Sequence, residues 1–235
     1  MSYRYIGSEL ELFASATNWK TYLGAILGRF MVGQVLEVGA GIGANTAYLH
    51  NPNVDGWTSL EPDRDLADRI SQRARGGEFA AACRVVSGTI GDLDPTLRFD
   101  TILYLDVLEH IAEDRAELAR ASGHLTAGGN IVVLAPAHQF LFSAFDAAIG
   151  HYRRYDPAVL CALTPDGCRL ETFLMLDCAG FFASLANRLM LGAASPSPRQ
   201  IAVWDKLLVP LSRRLDPLTG HKFGKTALAV WRAEG

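Results

Sequence analysis

The sequence predicts an α/β fold in which helices cover both faces of a largely parallel sheet. Short apolar runs alternate with amphipathic stretches through the first 136 residues, which is typical of repeated βαβ units. The runs VLEV, ILYL and IVVL, at 35–38, 102–105 and 131–134, are apolar at nearly every position. Such strands are expected where both faces of a sheet are buried.

The other elements follow in order along the chain. Apolar residues at helical spacing in the first 30 residues predict a helical segment ahead of the first strand. Strands are predicted at GWTSLE, CRVVSG, CRLETFLMLD and TALAVWRAE, and helices at 44–50, 62–75 and 112–121. The last two strands are separated by 178–224, and a connection of that length predicts structure of its own, here helical.

Composition and charge exclude several classes of function. The 22 Lys and Arg against 25 Asp and Glu include no basic block, so nucleic acid is not an expected partner. No apolar run reaches the ~18 to 20 residues of a membrane span.

The N-terminus lacks a signal peptide and the four cysteines form no CxxC pair, which predicts a cytoplasmic protein with reduced thiols. No two histidines have HxxxH or HxH spacing, so no bound metal is predicted.

Three glycines follow the first strand, at Gly39, Gly41 and Gly43. Glycines at a strand end allow a ligand to approach the backbone closely, but this spacing fits several adenosine cofactors, NAD among them. Glu37 favours one of them. A buried carboxylate needs a cationic partner, which the amino acid moiety of S-adenosylmethionine supplies and a pyrophosphate does not. Glu61, at the end of the second strand, can accept hydrogen bonds from the ribose of either cofactor.

Over about 35–136 the chain resembles the class I S-adenosylmethionine-dependent methyltransferases. VLEVGAGIGANT, SLEPD, SGTIGDL and FDTILYLDVLEHI are similar to their first four motifs, and LTAGGNIVVLAP is similar to their fifth strand. The resemblance implies a Rossmann-like class I methyltransferase fold, whose seven-stranded sheet is mostly parallel with an antiparallel last strand. It also implies S-adenosylmethionine as cofactor and S-adenosylhomocysteine as product.

The resemblance further implies roles for individual residues and segments. Glu37 and the three glycines would line the methionine end, Glu61 the ribose, Thr89 and Ile90 the adenine, and Asp106 the edge that faces the methyl group. A single domain over 1–235 is expected. Its parts are an N-terminal helical cap (1–30), a cofactor-binding core (31–136), a substrate-side segment (137–168) and a helical insertion or lid (178–224).

A polar segment after the fifth strand supplies the catalytic candidates. FDAAIGHYRRYDP contains a D-x-x-x-G-H-x-R-R-Y pattern, which resembles a subgroup of these enzymes that acts on small molecules. His151 is a candidate general base because its ordinary pKa lies near neutrality. Asp146 would orient it, and Tyr155 is a further catalytic candidate. In a purely structural alternative, His151 hydrogen-bonds a backbone carbonyl.

The substrate-binding candidates lie beside these residues. Arg153 and Arg154 can hold a carboxylate or phosphate of the substrate, or can instead anchor acidic helix ends. His110 is a candidate substrate contact, while Glu109 and His110 also fit a capping role for the helix after the fourth strand.

The predicted reaction is methyl transfer to a small-molecule acceptor, at a hydroxyl oxygen of a sugar-containing, natural-product or lipid-like compound. The methyl group would move by direct in-line displacement, with a His/Asp base. The alternatives are an NAD-dependent oxidoreductase and a catalytically silent cofactor-binding module. The apolar insertion over 178–224, with Arg213 and Arg214 beside leucines, leaves open a peripheral membrane contact or a homodimer.

Overall fold

The computed structural model describes residues 4–7, 9–49, 51–79, 83–186 and 196–234. Its seven strands form one sheet in the order β3-β2-β1-β4-β5-β7-β6. The strands are β1 (Gly33–Val38), β2 (Val54–Glu61), β3 (Cys83–Ser87), β4 (Phe99–Leu105), β5 (Leu125–Pro136), β6 (Cys168–Leu176) and β7 (Thr226–Ala233). Only β7 runs antiparallel to its neighbours β5 and β6. The predicted fold class is therefore confirmed.

Ten helices surround the sheet in the part of the chain that the structure describes. They are α1 (Leu10–Ala14), α2 (Thr17–Leu27), α3 (Thr46–Leu49), α4 (Arg64–Arg75), α5 (Asp114–Ser122), α6 (Ala144–Ala148), α7 (Pro157–Cys161), α8 (Cys178–Ala186), α9 (Pro198–Val203) and α10 (Val209–Leu218). None of the described helices is long and apolar enough to cross a membrane.

Alternating side chains of the strands build one apolar core on each face of the sheet. Ile102 and Tyr104 of β4 point to the face that also buries Leu118 of α5 and Leu160 of α7. Leu103 of the same strand points to the opposite face, where Trp19, Tyr22 and Leu23 of α2 and Ile201 of α9 are buried. This alternation explains why the central strands are apolar at almost every position.

Buried carboxylates fix the described part of the insertion to the rest of the protein. A five-residue π-helical segment, Trp204–Leu208, joins α9 to α10. Within it, the Asp205 carboxylate accepts a 2.9 Å hydrogen bond from the backbone N–H of Trp19 in the first turn of α2. Asp216 of α10 accepts hydrogen bonds from the N–H groups of Asp177 and Cys178, at 2.7 and 3.0 Å. These contacts hold the π-helical segment and α10 against the rest of the protein. Residues 187–195 of the predicted lid lie outside the described residues.

Candidate active site

A cavity of about 1480 Å³ lies at the carboxyl ends of β1, β2 and β4. Typical sites for one small ligand measure roughly 300–1,000 Å³, so this cavity has room for a nucleoside-sized cofactor beside an acceptor. Most predicted site residues line it: Gly39, Gly41, Glu61, Thr89, Ile90, Asp106, His110, Asp146, His151 and Arg154. Glu37, Gly43, Arg153 and Tyr155 are not among the described residues that line it.

The glycine turn after β1 has the backbone conformation that only glycine adopts easily. Gly39, Gly41 and Gly43 have φ angles of +67°, +58° and +70°, and a Cβ on Gly39 would lie 2.7 Å from a methyl group of Val107. The turn uses its own N–H groups internally. Those of Gly39 and Ala40 donate to the Leu60 carbonyl at 2.8 and 3.2 Å. Phosphate sites need free N–H groups, so this arrangement argues against a pyrophosphate on the turn.

Glu37 is satisfied by the protein itself, contrary to the reasoning from sequence. Its carboxylate is 2% exposed and accepts hydrogen bonds from Thr46 Oγ1 at 2.5 Å and Trp57 Nε1 at 3.1 Å. Burial raises the pKa of Glu37 to about 7, although both hydrogen bonds oppose the shift. A cationic ligand is therefore not needed to compensate this carboxylate. Gly43 lies against the protein as well, because a Cβ placed on it would contact Ile70 and Phe79.

Glu61 closes the β2 side of the cavity. One carboxylate oxygen accepts a hydrogen bond from the N–H of Gly41 at 2.8 Å, and the other accepts one from the N–H of Asp63 at 3.0 Å. Burial raises the pKa of Glu61 to about 7, against both hydrogen bonds. Each oxygen retains a further lone pair, so the carboxylate can still accept hydrogen bonds from a ligand.

Thr89 and Ile90 reach the cavity from the loop that follows β3. Asp92 fixes this loop, because its carboxylate accepts hydrogen bonds from the Thr89 N–H at 2.8 Å and the Thr89 hydroxyl at 2.7 Å. Both hydrogen bonds lower the pKa of Asp92. The loop therefore presents a fixed wall to the cavity, next to Glu61.

Asp106 follows β4 with its side chain open to the cavity. Its φ of +56° is uncommon for a residue other than glycine, and such conformations cluster at functional sites. Desolvation by the surrounding protein raises the pKa of Asp106 to about 6, while the charges of His151 and Lys225 oppose the shift. The carboxylate is thus placed where a ligand can reach it.

Glu109 is buried without a hydrogen bond to its side chain from any described residue. It lies in the 3-10 turn Leu108–His110, is 0% exposed, and neither of its carboxylate oxygens has a hydrogen-bond partner among the described residues. Desolvation raises its pKa well above the ordinary value, as does the charge of Asp106. The expectation that Glu109 caps the next helix is therefore wrong for its side chain. An unpaired buried carboxylate costs free energy, which makes Glu109 a functional candidate that the sequence did not single out.

His110 and His151 lie next to this carboxylate. Their ring centroids are 4.5 Å apart with the rings nearly perpendicular, and His151 Nε2 lies 3.8 Å from Glu109 Oε1. Burial lowers the pKa of His110 to about 4, and the charge of His151 acts in the same direction. His110 therefore presents a neutral ring to the cavity at neutral pH.

Asp146 orients His151, as the sequence predicts. His151 Nδ1 lies 2.9 Å from Asp146 Oδ1, and the same carboxylate accepts hydrogen bonds from Arg154 Nε at 2.9 Å and from the Ser143 hydroxyl at 2.7 Å. These hydrogen bonds hold the pKa of Asp146 well below its ordinary value despite burial. His151 thus pairs with a carboxylate and not with a backbone carbonyl, which leaves its Nε2 available.

Two predicted site residues have structural roles instead. Tyr155 is 0% exposed, and its hydroxyl lies within hydrogen-bond distance of two acceptors, Asp114 Oδ2 at 2.9 Å and the Leu108 carbonyl at 3.2 Å. Arg153 donates to Asp114 and to the Ala112 carbonyl at 2.5 and 2.7 Å. Both anchor the start of α5 and are committed to the protein, so neither is placed to contact substrate. Arg154 lines the cavity, but its guanidinium is paired with Asp146.

The sequence did not reveal which segments would enclose the cavity. The N-terminal helices contribute Leu10, Phe13, Trp19, Lys20 and Leu23, and the insertion contributes Ile201, Val203, Trp204 and Leu208. These residues have ordinary amphipathic spacing, so nothing in the sequence distinguishes them from core residues. Burial lowers the pKa of Lys20 to about 8, and its ammonium group donates to the carbonyls of Phe13 and Ala14.

Comparison with known proteins agrees with this architecture. Residues 36–131 match the family model described as "Methyltransferase domain". No curated protein matches the sequence. The N-methyltransferase NodS from Bradyrhizobium japonicum WM9, solved with S-adenosyl-L-homocysteine, superposes with a TM-score of 0.59 at 16% identity, covering 94% of this chain and 88% of NodS.

Two further solved structures show how widely the fold is shared. A protein described as a putative methyltransferase from Bacillus halodurans C-125 has a TM-score of 0.60 at 14% identity, over 92% of this chain and 99% of its own. The [4+2]-cyclase SpnF has a TM-score of 0.62 at 15% identity, over 97% and 95%. At these identities the superpositions establish the fold alone. Residues 36–131 thus match a methyltransferase domain, and the chain has the Rossmann-like fold of the solved methyltransferases.

Proposed function

We propose that this protein methylates a hydroxyl oxygen of an apolar, lipid-like or sugar-containing small molecule. The observation that carries the proposal is the hydrogen-bonded series from Arg154 through Asp146 to His151, which leaves Nε2 of His151 at the cavity. A hydroxyl oxygen must lose its proton to be methylated, and an oriented histidine is suited to accept it. The D-x-x-x-G-H-x-R-R-Y pattern, which contains Asp146, His151 and Arg154, supports a small-molecule acceptor by resemblance.

The residues at the ends of β1, β2 and β3 fit an adenosylmethionine. When bound, S-adenosylmethionine supplies a methyl group that is already electrophilic. Glu61 would accept hydrogen bonds from the ribose, the loop at Thr89 and Ile90 would contact the adenine, and Gly39 and Gly41 would lie against the methionine part. Glu37 would act indirectly, because it holds Thr46 just beyond the glycine turn.

His151 would remove the acceptor proton through Nε2. The Asp146 carboxylate accepts the hydrogen bond of the Nδ1–H and so selects the tautomer whose Nε2 lone pair is free. As Nε2 takes the proton, the ring becomes cationic and Asp146 stabilises that charge. Asp106, open to the same cavity, would hold the acceptor by a hydrogen bond from a second hydroxyl.

The cavity wall supports an apolar acceptor. Phe13, Trp19, Trp204 and Leu208 contribute large apolar side chains to its lining. Apolar walls with a few placed polar groups are typical of sites for small organic ligands. The acceptor would therefore bury an apolar body against these side chains and present a hydroxyl to His151.

The outer surface of the insertion supports access from a membrane. Leu207, Leu211 and Leu218 recur on one side of the π-helical segment and α10, and are 64%, 44% and 81% exposed. Arg213 and Arg214 are exposed beside them. A helix with exposed leucines and arginines is suited to lie on an anionic membrane surface. Because Leu208 of this same helix lines the cavity, a lipid-like acceptor would have a short path to the site.

Labelled-methyl transfer tests the proposed reaction. The protein would be incubated with isotope-labelled S-adenosylmethionine and a panel of hydroxyl-bearing lipids and glycosides, with mass spectrometry of the products. Matched acceptors whose hydroxyl is replaced by hydrogen serve as controls. We expect label only in compounds with a free hydroxyl, on oxygen. Label on nitrogen would overturn the assignment of the acceptor atom, and cofactor binding with no transfer would indicate a catalytically silent module.

A further inference from the structure

We propose that Glu109, His110 and His151 form a binding site for a divalent transition-metal ion in the wall of the cavity. One ligand-type atom from each residue lies within 4.8 Å of the others. The sequence alone predicts no metal, because Glu109 and His110 follow β4 whereas His151 lies beyond β5, and no local spacing connects them. The fold brings the three residues together.

The unpaired carboxylate of Glu109 is the first argument for an ion. Both oxygens are buried and lack a partner among the described residues. The other fully buried carboxylates of the cavity region have donors: Glu37 has Thr46 and Trp57, and Asp146 has His151 and Arg154. Buried polar groups in folded proteins are almost always paired, so a group without a partner indicates one that is missing.

The orientation of the histidines is the second argument. His151 is hydrogen-bonded through Nδ1 to Asp146, which turns Nε2 toward Glu109. A histidine that binds a metal through one nitrogen commonly donates from the other nitrogen to a carboxylate, which fixes the ring and makes it a better ligand. His110 packs against this ring, with the two ring centroids 4.5 Å apart. The protein thus fixes the ring of His151 through Nδ1 without an ion.

The charge around the site is the third argument. Asp106 and Glu109 are two acidic groups at the end of β4, and the nearby cations are already engaged. Arg154 pairs with Asp146 at 2.9 Å, and Lys225 lies 3.3 Å from Asp177. Lys225 and Arg154 act on Asp106 and Glu109 only from a distance, because each is paired with another carboxylate, and a divalent ion would add positive charge at the two groups themselves.

The ligand chemistry selects the kind of ion. Two imidazoles and one carboxylate suit zinc, manganese, cobalt or iron better than magnesium or calcium, which prefer oxygen ligands. Ligand atoms about 2.1 Å from a tetrahedral ion lie roughly 3.4 Å from one another, so the side chains would rotate to draw the three atoms in from their present spread of up to 4.8 Å. Three protein ligands would leave a position open toward the cavity, as in catalytic zinc sites.

An ion here would deepen the proposed function, on which its catalytic role rests. A hydroxyl bound at the open position would ionise more readily and release its proton to water. His151 would then be an ion ligand in the loaded protein, and it would be the proton acceptor only in the metal-free protein. The binding site itself does not depend on the reaction, and it can be tested without an acceptor.

Titration of the full-length protein with Mn²⁺ tests the site. The protein would be treated with EDTA, freed of chelator and titrated while the spin-resonance signal of free Mn²⁺ is followed, with Zn²⁺ as competitor. We expect one saturable ion per chain, displaced by Zn²⁺, with ¹⁴N modulation from imidazole in the pulsed spectrum. Metal binding should weaken by at least about tenfold in each of three variants, Glu109→Gln, His110→Gln and His151→Gln. Asp146→Asn should also weaken it, by about ten- to a hundredfold, because Asp146 acts only by orienting His151.

His124→Gln is the matched control, because His124 lies at the opposite end of the sheet and hydrogen-bonds the Leu97 carbonyl. Absence of saturable Mn²⁺ and Zn²⁺ binding, or wild-type affinity in Glu109→Gln, would overturn the proposal. If a variant fails to fold, the ¹⁴N modulation of the wild-type protein decides alone, and its absence overturns the site. Calorimetry with S-adenosylhomocysteine on the same samples separates the two proposals. Binding of S-adenosylhomocysteine without binding of a metal ion contradicts only the metal site. Binding of a metal ion without binding of S-adenosylhomocysteine contradicts the proposed function.

Discussion

The carboxylates at the two ends of the cavity differ in the hydrogen bonds that they accept from the protein. At the β1–β2 end, defined by Glu61, which lines the cavity, and by Glu37, which does not, each carboxylate accepts two hydrogen bonds from the protein. At the β4 end, defined by Asp106 and Glu109, Glu109 accepts none from a described residue and Asp106 is open to the cavity. In our proposal the satisfied carboxylates shape the cofactor pocket by holding backbone and side chains in place, and the unsatisfied one lies where a ligand binds.

The largest effect is expected at the β4 end. Replacing His151 with alanine removes the group proposed to accept the proton, so turnover should fall by about 10² to 10⁴-fold. The affinity for S-adenosylhomocysteine should remain unchanged, because His151 does not belong to the β1–β2 end. Initial rates and calorimetry on the same preparation provide the measurement, with His124→Gln as control. Unchanged turnover would remove His151 from the mechanism.

The second effect concerns stability at the β1–β2 end. Burial raises the pKa of Glu37 from 4.5 to about 7, so between these values the folded protein binds more protons than the unfolded chain. The stability contributed by this group is therefore lost as the pH rises from about 4.5 to about 7.

Glu37→Gln lacks this titration. Relative to wild type, the variant should gain up to about 3 kcal/mol of unfolding free energy between pH 5 and pH 8. Denaturant unfolding of the ligand-free proteins at both pH values measures this difference. Asp68→Asn, on the exposed side of α4, is the control. Parallel pH profiles for Glu37→Gln and wild type would show that Glu37 does not titrate in this range.

The third effect tests the cofactor pocket directly. Glu61→Gln puts an amide donor against the N–H of Gly41 or Asp63 and removes the charge that would accept the ribose hydroxyls. Hydrogen bonds to a charged group contribute about 1.5–3 kcal/mol, so affinity for S-adenosylhomocysteine should fall by about ten- to a hundredfold. Isothermal calorimetry against the Asp68→Asn control measures it. Equal affinities would place the ribose elsewhere.

The smallest effect is expected outside the cavity, on the leucine face of α10. Each arginine near an anionic membrane contributes about 1 kcal/mol, so Arg213→Gln and Arg214→Gln should each reduce binding by roughly fivefold. Co-sedimentation with phosphatidylserine vesicles measures this, with phosphatidylcholine vesicles as control. Equal binding to both vesicle types, or none, contradicts the membrane proposal. A dimer in sedimentation velocity that Leu211→Ser dissociates would assign this face to a second copy of the chain.

The strands could be predicted from the sequence, because burial on both faces of the sheet makes a strand apolar at nearly every position. β4 and β5 are recognisable as buried strands from composition alone, and the glycine turn from its spacing. Boundaries were less exact. Helix α3 begins at Thr46 instead of residue 44, and α4 begins at Arg64 because the Asp63 side chain caps it.

Side-chain partners could not be predicted, since they come from distant elements. The sequence led us to expect a cation beside Glu37, because nothing in VLEVGAGIGANT indicates that Trp57 of β2 would donate a hydrogen bond to its carboxylate. Glu109, His110 and His151 belong to two separate loops, and only the assembled sheet brings them together. Tyr155 and Arg153 lie in a segment of catalytic composition, yet they hold Asp114 at the start of α5.

Ligand binding to the unmodified protein tests the central claim most directly, namely that the β1–β2 end is a pocket for adenosylmethionine. Calorimetry and thermal unfolding would be run with S-adenosylhomocysteine and, in parallel, with NAD. We predict saturable binding of one S-adenosylhomocysteine per chain with a raised melting temperature, and no effect of NAD, because the N–H groups of Gly39, Ala40 and Gly41 are already committed within the protein. Stabilisation by NAD without any by S-adenosylhomocysteine would contradict the account.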